Sequence, residues 1–249
     1  MKKGLYLTFI TIITVVCIFV GIGIHDGFHF SFGNISLKNS KGNNSTKLEA
    51  FTEINLDADV MSVTVKQGED YAITYNYAGI AEPTYAVEDG ILYVKQKEKG
   101  FSIFGTGNRR CSMEITVPKD TKLTRVKMDT DVGDVKIKEV QLENTDLYSD
   151  VGNVSLNDIQ FMKGTIETDT GNVQLEQCEF SDLHIETDVG NTKISTVSNM
   201  KNYDVDLKTD VGKVYVNGQS QGTEYHNSGD EMGNISVEGD IGDVSLVYE

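Results

Sequence analysis

The chain has 249 residues, 39% of them hydrophobic and 24% charged, a composition that excludes disorder throughout. Its net charge of −16, with a pI near 4.6, repels phosphate backbones and excludes nucleic acid as a partner. Glycine is abundant at 24 against 2 prolines and no tryptophan, so many short strands joined by tight turns are expected rather than long helices.

The first predicted element is a membrane anchor. From Leu5 to Ile24 no residue carries a charge, and this run of 20 is the length a helix needs to cross a hydrocarbon core. Lys2 and Lys3 precede it and Asp26 follows, so the positive-inside bias leaves the N-terminus in the cytoplasm and the remainder outside a single-pass cell membrane protein. The run exceeds the apolar region of a cleaved signal peptide, and only Gly21-Ile22-Gly23 offers a weak exit site. Residues 1–25 are therefore read as stub and anchor. Residues 26–49, rich in Asn, Ser and Gly, are read as a flexible stalk.

Residues 50–249 are read as one β domain, with 50–118 a less regular cap and 119–249 regular repeats. The repeat is direct: DVGDVKI from Asp131, DVGNVSL from Asp150, DTGNVQL from Asp169, DVGNTKI from Asp188, DVGKVYV from Asp210, EMGNISV from Glu231 and DIGDVSL from Asp240. Gly133, Gly152, Gly171 and Gly190 follow one another at 19 residues, and Gly212, Gly233 and Gly242 extend the series. A degraded copy from Asp57 places Met61 where the others have glycine. Apolar residues alternate after each glycine, as in Val135 and Ile137 or Val154 and Leu156, which is strand periodicity with one face buried. One such unit cannot bury that face alone; stacking the units builds a continuous core. The predicted fold is all-β, a single-stranded β-helix or β-solenoid with coils of about 19–22 residues, seven or eight of them. The apolar strand from Ser245 to Glu249 shows no cap and reads as an exposed docking edge.

The corner residues have a structural explanation. Each Asp two places before its glycine is expected to accept bonds from turn amides, and Asn153, Asn172, Asn191 and Asn234 to form an amide ladder. Ca²⁺ is the lesser reading of the Asp column, because the spacing lacks a second row of ligands. No cofactor is expected. His25, His29, His184 and His226 are dispersed, no Ser/His/Asp or Cys/His arrangement emerges, and the chain is read as non-enzymatic. Cys111 and Cys178 are either two buried thiols or one bridge. Arg109 and Arg110, a basic spot in an acidic chain, are either solvated loop or a partner contact.

The opening FTEINLDADVMSVTV, the strand SMEITVP followed by Lys122-Leu-Thr-Arg-Val, and the D-x-G-[DN]-V-x-[IL] segments together resemble a bacterial putative adhesin family, the Toastrack domain of unknown function. The resemblance covers about Phe51 to Glu249, with departures at Met61, Thr192, Lys213 and Met232. It implies a solenoidal domain on the outer face of the cytoplasmic membrane, linked in some relatives to envelope stress, and no catalytic residues. The functional expectation is a surface binding or scaffolding module for a protein or cell-wall glycan. A stress sensor acting through a membrane partner is the alternative.

Overall fold

The computed structural model describes residues 41–78, 82–97, 111–229 and 233–248, and all that follows concerns these. The anchor segment and Arg109 and Arg110 lie outside them. The strands are β1 (Lys41–Lys47), β2 (Glu53–Val60), β3 (Ser62–Gly68), β4 (Ala72–Ala78), β5 (Thr84–Glu88), β6 (Ile91–Gln96), β7 (Ser112–Pro118), β8 (Lys122–Val132), β9 (Val135–Lys138) and β10 (Gln141–Val151). They continue with β11 (Val154–Asn157), β12 (Gln160–Thr170), β13 (Val173–Val189), β14 (Thr192–Thr196), β15 (Tyr203–Val211), β16 (Val214–Val216), β17 (Gln219–Gly222), β18 (Glu224–Asn227), β19 (Gly233–Ile241) and β20 (Val244–Tyr248). The fold is all-β and solenoid-like, and β13 runs through both of its faces. Residues 41–47, expected to belong to a flexible stalk, instead form β1 and pair with β4.

Parallel neighbours put identical positions in columns, because every rung solves the same packing problem with the same alternation. Val135, Val154 and Val173 align, as do Ile137, Leu156 and Leu175. On the other face Met128, Leu147, Ile166 and Ile185 align. All are buried, and Phe161 and Phe180 stack between them with ring centroids 5.4 Å apart. Cys111 and Cys178 are buried, unpaired thiols, and burial pushes Cys178 up to about 12.

The order of rungs departs from the order of the chain at both ends. The rung β2–β3 sits between β6–β7 and β8–β9, and β19–β20 sits between β13–β14 and β15–β16. The central rungs, β8–β9 through β13–β14, follow chain order. The last strand is therefore interior, contrary to the docking edge expected of residues 245–249. Antiparallel β17 and β18 cover that end, and β1, β4 and β5 cover the other. Short polar edge strands of this kind blunt the pairing of one sheet with another. Residues 39–249 form a compact unit with a closed core of their own.

Candidate functional site

The D-x-G corners all fall on one edge of the stack. An ideal Cβ on Gly171 would lie 1.8 Å from the carbonyl oxygen of Gly152, and one on Gly152 2.0 Å from that of Gly133. Gly190, Gly242 and Gly212 continue the column in that spatial order, and Met61 occupies its first place, above Gly133. Gly233 does not belong to it. It lies over the carbonyl of Ser181, at the start of β19, because only nine residues separate it from Gly242, too few for a coil of their own.

The residue after each glycine carries the turn amides. The Oδ1 of Asp134 accepts from the backbone N–H of Asn153 at 2.9 Å, Asn153 does the same for Asn172 at 3.1 Å, and Asn172 for Asn191 at 3.0 Å. Asn191 then serves Asp243, and Asp243 serves Lys213, each through Oδ1. Asn234, expected in this ladder, is in β19, and its N–H donates to Asp182. The capping expected of the Asp before each glycine is thus performed by the residue after it. Replacing Asn172 with Ala removes an acceptor on one side and a donor on the other, and should cost about 1–2 kcal/mol in a denaturant titration.

The leading Asp residues instead point outward in a column: Asp131, Asp150, Asp169, Asp188, Asp240 and Asp210. Although these side chains reach solvent, the flanking rungs strip part of their hydration. That burial, and then neighbouring carboxylates, raise Asp150 and Asp188 above their ordinary range; Asp131 moves the same way. A raised carboxyl in the folded state means that the native form holds more protons than the unfolded one. Its contribution to stability therefore grows as pH falls toward the raised values and diminishes as pH rises above them. Asp150→Asn is expected to raise the Tm at pH 7 and to flatten the gain seen on acidification toward about pH 4.5, read by thermal unfolding at both pH values.

Two further features were missed by sequence reasoning. The x of each D-x-G forms a second outward column, Val132, Val151, Thr170, Val189, Ile241 and Val211, whose aliphatic members are 40–63% exposed. The signal was present, since x is β-branched in every one of these corners. The second feature is a lysine seat. Lys97 Nζ lies 2.6 Å from Asp57 Oδ1 and 2.8 Å from Asp59 Oδ1, two outward carboxylates flanking Ala58, and their hydrogen bonds raise its pKa. The same i, i+2 pairing of carboxylates recurs as Asp129 with Asp131, Glu167 with Asp169, Glu186 with Asp188, and Glu238 with Asp240.

The opposite face holds a polar recess lined by Asn157, Glu176, Gln177, Lys193 and Ser195, but Asn157 and Gln174 already donate to Glu176, which closes its chemistry on itself. Among the described residues no group of three or more His, Cys, Asp or Glu is placed to hold a metal ion. His184 bonds Glu186 on its own strand, and His226 bonds Ser228.

The model of the family Toastrack DUF4097 matches residues 51–248. The chain belongs to this family. No curated protein matches it. The Toastrack domain is similar to the solved structure of a putative cell adhesion protein from Clostridium sporogenes, at 19% identity and a TM-score of 0.54, covering 84% of this chain and 100% of that one. It is also similar to a putative adhesin from Bacteroides fragilis, at 13% identity and a TM-score of 0.50, covering 87% and 100%. At these identities the likeness establishes the fold.

Proposed function

We propose that this Toastrack protein is a non-catalytic surface-binding module, displayed outside the cell membrane by the apolar segment 5–24 and engaging its partner through the corner edge of the stack. The observation that carries this reading is the column of exposed β-branched aliphatics running beside the carboxylates. Solvent-facing aliphatics aligned on successive rungs are a feature of binding surfaces rather than of the scattered apolar exposure usual on monomers. The names borne by the two similar solved structures, putative cell adhesion protein and putative adhesin, point the same way. Absence of catalysis is supported by the repetition itself: the carboxylates recur in equivalent surroundings, whereas acid–base work needs two groups whose environments differ.

The test is retention of fragment 39–249 on purified walls and membranes of the producing cell. Wild type should be retained, and a Val151→Asp, Val189→Asp variant with an unchanged circular dichroism spectrum should be lost. Equal retention of both would refute the assignment of the corner edge, and retention of neither would refute binding to envelope material.

A further inference from the structure

The β-branched column and the carboxylate pairs are adjacent, one residue apart, and repeat together on β8, β12, β13 and β19, whereas β10 and β15 place Tyr148 and Lys208 where the others have the first carboxylate. We infer that the partner seated on this edge is a basic amphipathic α-helix, lying along the stack with apolar side chains on the valine column and lysines or arginines in the carboxylate pairs. This rests on the reading of the domain as a binding module and adds the chemistry of what it binds.

Three observations converge on that occupant. The first is the seat of Lys97, where the chain's own ammonium bridges Asp57 and Asp59 at 2.6 and 2.8 Å. Val60 aligns with Val132, so this seat stands at the head of the same column. Four more carboxylate pairs repeat it, and among the described residues no lysine or arginine makes an ion pair with any of the four. Charge complementarity is therefore demonstrated within the molecule for one member of a repeated set.

The second observation excludes a copy of this chain packed edge to edge. Two such edges would bring carboxylate columns against each other, in a molecule of net charge −16. The aliphatic column needs an apolar partner that brings positive charge with it.

The third is pitch. Rungs recur at about 4.8 Å, whereas same-face side chains of an extended strand recur at about 6.6–6.8 Å and slip a whole rung within three steps. A helix presents one side chain per turn at about 5.4 Å, so over five steps its stripe drifts only about 3 Å from the column, within reach of flexible side chains. Helical partners read by one anchor per turn are a known recognition mode.

The experiment uses fragment 39–249 and a fluorescently labelled 21-residue peptide of Leu and Lys, patterned to be helical with leucines on one stripe. Its controls are a peptide of the same composition with the pattern scrambled, and Ca²⁺ alone. Fluorescence anisotropy at moderate salt is expected to show at least tenfold tighter binding of the patterned peptide than of the scrambled one. Val151→Ser with Val189→Ser should weaken binding at least tenfold. So should neutralisation of two pairs, by Glu167→Gln, Asp169→Asn, Glu186→Gln and Asp188→Asn. Ser155→Ala, on the other face, should leave it unchanged.

Equal binding of the scrambled peptide would overturn the inference by reducing the edge to a nonspecific polyanion. Carboxylate variants that lose Ca²⁺ binding but retain the peptide would overturn it in favour of a cation site. If the peptide fails while wall or membrane retention still depends on Val151 and Val189, the helix is wrong and the binding edge stands.

Discussion

Replacing Gly171 with alanine should destabilise the domain by about 3 kcal/mol or more, among the largest effects available to a single methyl group. The added carbon would sit 1.8 Å from the Gly152 carbonyl oxygen and 2.6 Å from its carbon, and both are backbone atoms. Relief cannot come from a rotamer change. It requires the two rungs to part at the corner, where Gly152 N–H donates to Thr170 and Val154 N–H to Asn172, each at 3.0 Å. The discriminating control is Gly218→Ala. Gly218 has φ of 77° and nothing within 4 Å of its virtual Cβ, so alanine there meets only backbone strain, about 1–2 kcal/mol. Equilibrium denaturation of both variants separates the explanations. If Gly171→Ala costs no more than Gly218→Ala, close approach of rungs is not what the glycine column provides.

The column also shows which parts of this fold were legible in advance. Between Lys122 and Thr196 every rung meets the same demands, so the same residues recur and the period alone dictates their stacking. The corner after Lys138, Asn157 and Glu176 was invisible, because Glu139, Asp158 and Gln177 adopt positive φ of 51–55° without a glycine to announce it. The swapped rungs at both ends were invisible for another reason. Periodicity says which residues face inward but not which neighbour a rung will choose, and Val205, Ile235 and Leu183 are interchangeable by pattern. The sequence EMGNISV then imitates a corner that the chain places elsewhere. At the candidate site the Asp column was recognised, but its role was assigned to capping, since a turn with both Asp and Asn leaves two acceptors for one amide. The valines between them carried no expectation, and the seat of Lys97 depends on a contact between residues 40 apart.

Removing the final rung should have the larger effect still, because β19–β20 is an interior layer and not a tail. Ile235, Val237, Val244 and Leu246 are fully buried, and their loss removes on the order of 6–12 kcal/mol of apolar burial, comparable with the whole stability of an ordinary domain. The register of β15 would let it pair directly with β13, Val205 beside Leu183, so a shortened stack of seven rungs is the competing outcome. Tyr203 argues against that repair. Its hydroxyl donates to the Phe180 carbonyl at 2.7 Å, reaching past the rung that carries Gly233, whose missing side chain leaves room for the ring. Moving β15 one rung closer, by about 4.8 Å, would drive that buried ring into the β13 backbone. Fragment 39–229 is therefore expected to lose its cooperative unfolding transition, and a peptide spanning residues 230–249 added in trans should restore it by filling the vacant layer. A fragment 39–229 that unfolds cooperatively as a monomer and ignores the peptide would mean that the stack closes over the gap, and that the inserted rung is dispensable to the fold.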